Sequence, residues 1–244
     1  MNTAEYKFFI ADCKKSIENA KDVNIEFDID DITLKTFQNY AYAKKIAANL
    51  RQKNINHIDE LLISFEKKFN ENGAKVNWAL DYDSLSEDII KILIEKKIKE
   101  VNLFESRFIE ELGLLKILKN EEIQINLQSN NCVIFEPNYA ISQTGSLYLV
   151  FNSAIEMEQV LSAKMKIFVL PVNNVLRNIE DVELLSKLYS INKNREEYLP
   201  LTAFYSVKEN DENNVELFII DNGRTNLLES KEHRKVLTCI NCDA

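Results

Sequence analysis

Lys75-Val76-Asn77-Trp78-Ala79, a helical pattern from Ser84 to Lys97, and then the apolar run at 99–103 make up the stretch that decides the fold. A short β-type run, an amphipathic helix and a second short run form one strand–helix–strand step. Two parallel strands joined this way need a crossover, and nearly all such crossovers share one hand. Outward toward the C-terminus the alternation continues, with a helix over 108–119 and strands over 122–127, Cys132 to Phe135 and Ser146 to Phe151. A helix at 154–163, a strand from Lys166 to Leu170, a helix at 178–189 and strands at 202–207 and 215–220 complete it. This pattern predicts an α/β fold, a mostly parallel sheet flanked by helices.

Outward toward the N-terminus the period changes to that of helices. Leu34, Phe37, Ala41, Ile46 and Leu50 recur at three- to five-residue spacing, and Ile58, Leu61, Leu62, Phe65 and Phe69 continue the pattern until Asn72-Gly73 offers a C-cap. The predicted organisation is an N-terminal helical arm over 1–72, an α/β domain over 73–238 and a short tail over 239–244. The stretch 208–214 carries no apolar residue and reads as a loop.

Composition removes several functional classes. The 244 residues contain only four glycines, Gly73, Gly113, Gly145 and Gly223, where ~7% would give about seventeen, and none are close together. Glycine-rich phosphate loops are therefore excluded. With His57 and His233 as the only histidines, a three-histidine metal site is impossible. The formal net charge of −9 argues against nucleic acid as a partner. The opening apolar stretch is broken by Asp12 and Cys13, too short for a signal peptide or a membrane span, so a cytoplasmic location is expected. Cys13, Cys132, Cys239 and Cys242 show no disulfide framework and read as free thiols or metal ligands.

Three segments could carry chemistry. Residues 136–146 place Asn138, Gln143, Thr144 and Gly145 directly before a strongly apolar strand, the position where α/β sheets often hold their sites. The same side chains would equally serve a loop that bonds its own backbone. Asp221-Asn222-Gly223-Arg224 follows a buried strand and demands a tight turn with positive φ at Asn or Gly, from which Arg224 projects. That guanidinium can fork onto a carboxylate or phosphate, or pair with a nearby Glu. The last six residues hold one C-x-x-C, Cys239 and Cys242, half of a tetrahedral site. A cysteine at the next position would open a ferredoxin-type ligand set.

With these residues in view, the sequence resembles the LUD domain family, in particular the N-terminal domain of the iron–sulfur subunit of bacterial lactate-utilisation complexes. Residues 57–79 resemble the family's helix ending in glycine before a V-x-W-A strand. Asn138-Tyr139-Ala140-Ile141-Ser142-Gln143-Thr144-Gly145-Ser146 resembles its N-F-A-I-A-E-T-G-T/S motif, the most specific of the set. Asp221 to Arg224 and residues 237–242 resemble D-N-G-R … L-x-C-I-R-C-G-A-C, and Glu110-Glu111-Leu112-Gly113-Leu114 resembles a weaker E-E-I-G-L helix start.

The resemblance implies a fold like that of the ribose-5-phosphate isomerase and CoA-transferase group. It also implies a part in oxidising L-lactate to pyruvate and passing on the electrons, with other lactate-utilisation subunits or a redox partner, and a small carboxylate ligand. The implied ligand site is Asn138, Gln143, Thr144 and Gly145 with Asp221 and Arg224. A four-iron cluster is implied for full-length members and none for this chain, where Cys239 and Cys242 would be ligands only within the complete motif; the tail beyond about Thr238 is expected to be frayed and metal-free.

Departures from the family also shape the expectation. Gln143 replaces an acidic residue, Asn102 to Ser106 replaces a lysine-rich stretch, and Tyr198 to Tyr205 lacks the family's glycine and aspartate. Together they support an alternative, a non-catalytic LUD scaffold or docking subunit. CoA-transferase-like or sugar-phosphate isomerase chemistry is a third reading, disfavoured in its first form because Gln143 cannot act as the glutamate nucleophile.

Overall fold

The computed structural model describes residues 40–194, 201–207 and 214–238. Two helices open it, α1 (Tyr40–Asn56) and α2 (Ile58–Glu71), followed by β1 (Lys75–Ala79), α3 (Tyr82–Glu95) and β2 (Glu100–Leu103). Next come α4 (Arg107–Glu111), α5 (Leu114–Asn120), β3 (Gln124–Ile125), β4 (Cys132–Phe135), β5 (Tyr139–Ile141) and β6 (Ser146–Phe151). The described chain ends with α6 (Ala154–Ser162), β7 (Met165–Pro171), β8 (Val175–Leu176), α7 (Ile179–Asn194), β9 (Leu201–Tyr205), β10 (Val215–Ile220), a 3-10 turn over Thr225–Leu228 and α8 (Lys231–Leu237).

The main sheet has six strands in the order β1-β10-β7-β4-β2-β3, every neighbouring pair parallel. The expected α/β architecture, a mostly parallel sheet flanked by helices, is what the chain forms. Central strands such as β7 and β10 are apolar on both sides because both faces are covered. On one face Ile167, Val169, Phe218 and Ile220 meet Leu85, Ile89 and Leu93 of α3 and the apolar sides of α4 and α5. On the other, Phe168, Leu170, Leu217 and Ile219 meet Phe65 and Phe69 of α2 and a second, smaller sheet.

That second sheet runs β8-β5-β6-β9 and is mixed, with β5–β6 and β6–β9 antiparallel and β5–β8 parallel. Its far side packs Ile141, Tyr148 and Leu176 against Ala43 and Ile46 of α1 and Val182, Leu185 and Leu188 of α7. The helices over 40–71 thus contribute to two of the three apolar clusters. The polar ties in this layer run to a fully buried arginine: Arg51 Nη2 donates to the Leu237 carbonyl (3.0 Å) and to Asn174 Oδ1 (3.2 Å).

Local chemistry explains the breaks. Asp81 caps α3 by accepting from the Ser84 amide at 2.9 Å. After α2 the Ala74 amide reaches back to the Phe69 carbonyl and Gly73 takes φ +91°, a glycine C-cap as expected from Asn72-Gly73. The single helix expected over 108–119 is two, because Gly113 adopts φ +63° between α4 and α5. The strand expected over 122–127 shrinks to two residues, as β3 sits at the sheet's edge with one partner. Residues 136–146, read as a loop, contain β5. The loop predicted over 208–214 lies outside the described residues except for Asn214, as do Cys13, Cys239, Cys242 and Pro200.

Candidate functional site at the C-terminal edge of the sheet

Parallel strands end on one side of the sheet, and the chain leaves them toward opposite faces at two places. Beyond β2 it enters α4 on one face, whereas beyond the neighbouring β4 it enters the small sheet on the other. Adjacent strands whose connections diverge leave a crevice outside their carboxyl ends, where open α/β sheets bind ligands. Ser106 and Glu136 stand just past β2 and β4, and Asp221 to Arg224 just past β10.

The turn after β10 has the geometry expected of Asp-Asn-Gly. Asn222 and Gly223 take φ +45° and +75°, and the Arg224 amide closes the turn on the Asp221 carbonyl at 3.0 Å. Asp221 is nearly buried and consumed by its own neighbourhood, accepting from the Thr225 amide (2.7 Å) and hydroxyl (2.6 Å). Burial pushes its carboxyl up, opposed by those two bonds and by the Arg224 charge. Arg224 projects from the turn toward α4. Its Nη2 lies 3.1 Å from both carboxylate oxygens of Glu111, and the guanidinium stacks on the Phe108 ring at 5.0 Å. Asn222 Nδ2 donates to the same Glu111 carboxylate at 3.1 Å.

Glu136 completes the cluster. Burial pushes its carboxyl above the ordinary glutamate range, opposed by a bond to the Ser106 side chain and the Arg224 charge, while the Glu111 charge pushes further up. The Ser106 hydroxyl also caps α4, accepting from the Ile109 amide at 3.0 Å. One guanidinium, two carboxyl groups, a hydroxyl and an amide therefore converge at this edge. Such a set can exchange one carboxylate for another on Arg224 and can give or take a proton at Glu136.

The titration of Glu136 has a measurable sign. A carboxyl whose folded-state pKa is raised holds its proton longer in the folded chain, so its contribution is fully present below the ordinary glutamate value of 4.5 and is lost as pH rises through the raised one. The melting temperature of Glu136→Gln relative to the unaltered chain is therefore expected to climb between pH 4 and pH 8. A flat difference across that range would remove Glu136 from the cluster's titration.

The other motif residues sit elsewhere. Asn138 stands at the open end of the β5–β6 hairpin, its Oδ1 accepting from the Val150 amide at 2.9 Å. Gln143 to Gly145 form the turn at the opposite end, roughly 15 Å away at ~3.3 Å per residue. There the hairpin is fastened to α2: Lys68 Nζ donates to the Gln143 carbonyl (2.6 Å), and Asn72 Nδ2 lies 3.4 Å from the carbonyls of Thr144 and Gly145. The Gln143 side chain accepts weakly from the Ile179 amide at 3.4 Å, and the Thr144 and Ser146 hydroxyls bond at 2.6 Å. The six expected ligand residues thus fall into separate groups. Three that the sequence reading left out, Ser106, Glu111 and Glu136, join Arg224. Glu136 could have been nominated from its position directly after the apolar run Cys132–Phe135; the Glu111–Arg224 pair, 113 residues apart, carries no local signal.

The profile of the LUD domain matches residues 62–222, about two thirds of the chain and most of both sheets. The chain belongs to the LUD domain family. Its match begins inside α2 and ends in the turn after β10, so it includes Glu111, Glu136 and the whole hairpin motif. Lactate utilization protein B from Geobacillus sp. (strain WCH70) is 30% identical over 145 residues, covering 55% of this chain and 29% of that protein. The chain thus spans well under half of that relative's length. A crystal structure of a DUF162 family protein from Deinococcus radiodurans superposes with a TM-score of 0.50 at 14% identity, covering 67% of this LUD chain and 98% of the other. At that identity the likeness concerns the fold. Among the described residues no helix is long and apolar enough to cross a membrane.

Proposed function

We propose that this chain is the LUD part of a lactate-utilisation protein and works in the multi-subunit oxidation of L-lactate to pyruvate, coupled to iron–sulfur electron transfer. The observation that carries the proposal is the 30% identity to Lactate utilization protein B over 145 residues. The carboxyl ends of the strands support it chemically: a small carboxylate can take the place of Glu111 on Arg224, with the half-exposed Glu111 side chain turning to water, and Glu136 supplies a proton-exchanging group beside it.

A four-iron cluster, when bound in a full-length relative, relays electrons. The described residues do not fit it: they bring no three of His, Cys, Asp and Glu together as metal ligands. Cys132 is wholly buried mid-sheet, and burial pushes its thiol up to about 12, so it stays protonated where a ligand must be a thiolate. The described residues' own work is to bind, orient and hold a proton.

Arg224→Ala is expected to weaken L-lactate or pyruvate binding by tenfold or more in titration calorimetry, about 1.4 kcal/mol, while the melting temperature moves only a few degrees. Unchanged affinity would remove Arg224 from the ligand site. One observation favours the second reading, a non-catalytic scaffold: Arg224 is already held on both oxygens of Glu111. In that case Arg224→Ala leaves lactate-dependent growth of a complemented strain intact.

A further inference from the structure

The opposite edge of the sheet, where the parallel strands begin, carries a feature that the lactate reading does not use. Two crossover turns meet there. The α3–β2 turn supplies Lys96, Lys97 and Lys99, with Lys97 in the left-handed region at φ +56°, and the α6–β7 turn supplies Lys164. Together with Asn131 and Asn214, which precede β4 and β10, they line a cleft of about 500 Å³. The cleft floor is fixed by the strand starts: the Met165 amide bonds the Asn131 carbonyl (3.0 Å) and the Lys166 amide the Asn214 carbonyl (2.8 Å).

The charge of this cleft runs against that of the molecule. Among the described residues, four lysines and one carboxylate, Glu100, line it, in a chain of net charge −9. Glu100 is itself occupied, since bonds from the side chains of Ser129 and Asn126 hold its carboxyl below the ordinary range. Lys164 Nζ rests on Asn131 Oδ1 at 3.3 Å. All four lysines are exposed, and among the described residues no arginine lines the cleft. Exposed, well-hydrated ammonium groups hold a small anion poorly, because each contact is weak and no planar fork fixes it. Acting together on a segment with several carboxylates they steer and retain it, which is how charge complementarity selects protein partners.

We propose that this cleft is a docking site for an acidic segment of a partner protein. Its position at the far end of the strands leaves the Arg224 crevice uncovered when a partner is bound.

A fluorescein-labelled deca-glutamate peptide is the probe, titrated by anisotropy against the full chain. The expected result is saturable 1:1 binding that weakens at least tenfold between 50 and 300 mM NaCl. Lys97→Glu, Lys99→Glu and Lys164→Glu combined should weaken it at least tenfold, and the three corresponding Gln substitutions at least threefold. The three Arg substitutions should retain binding. A control with the same charge change, Lys91→Glu, Lys116→Glu and Lys119→Glu, should change it less than threefold. Equal losses in the two charge-reversed chains would overturn the assignment to the cleft. So would absence of binding, and displacement of the peptide by tripolyphosphate at equal or lower concentration would mark a small-anion site instead.

Discussion

Gly145→Ala is expected to leave the chain close to unfolding, with a melting temperature lower by on the order of 10 °C at ~2–4 °C per kcal/mol. Two costs add at this position. Gly145 takes φ +64°, where a side chain costs about 1–2 kcal/mol. A Cβ there would lie 2.7 Å from Lys68 Cβ and 2.8 Å from the Lys68 carbonyl carbon and the Phe69 amide nitrogen. The helix backbone cannot yield like a flexible side chain, so α2 must move away from the hairpin, at about 1–3 kcal/mol more. Phe69 follows α2, and it belongs to the main apolar cluster. Gly113→Ala is the matched control: φ is nearly the same at +63°, yet nothing lies within 4 Å of the added atom. It should cost only about 1–2 kcal/mol. Equal melting temperatures for the two variants would show that the close approach of hairpin and helix does not matter.

Phe168→Ala is expected to be as damaging or more so, at about 3–5 kcal/mol in a denaturant titration. Phe168 is fully buried in β7, which has β10 on one side and β4 on the other. Its ring lies 5.2 Å from that of Tyr205 in β9, so it joins the main sheet to the small one. Removing it opens a cavity between two rigid sheets that cannot both close on it. Phe168→Leu keeps most of the volume and should cost under about 1.5 kcal/mol. A Phe168→Ala chain with an unchanged denaturation midpoint would mean that the two sheets are not held together through this residue. Against a total stability of about 5–15 kcal/mol, either large effect removes much of the margin.

The first of these variants separates motif from site. Gly145 lies in the family's most recognisable motif, and what the structure assigns it is close contact between a hairpin and a helix. Gln143→Ala and Thr144→Ala should each cost only about 0.5–1.5 kcal/mol, the worth of the bonds they make. The Arg224 cluster is built from residues that no single motif contains.

Much of the architecture is legible in the sequence. Mainly apolar runs such as 166–170 and 215–220, each holding a single charged residue, announce strands covered on both faces, and the three-and-four spacing from Ile58 to Phe69 announces one covering helix. Asn72-Gly73 and Asp221-Asn222-Gly223 announced their own turns, because the required φ values are a property of those residues. β5 was not legible, since three residues between polar neighbours give no period, and only its pairing with β6 and β8 makes it a strand. Nor could the split at Gly113 be told from a tolerated glycine within one helix.

Sequence by itself determined the fold class, the order of the longer strands and helices, and the turns at Asn72-Gly73 and Asn222-Gly223, because each follows from hydrophobic period or local backbone preference within a dozen residues. Tertiary structure alone decided which polar groups meet. Glu111 reaches Arg224, Lys68 reaches Gln143, and the lysines of two distant turns share one cleft, because such contacts depend on which strands become neighbours in the sheet. That ordering is fixed by packing across the whole chain and leaves no trace in the residues on either side of a contact.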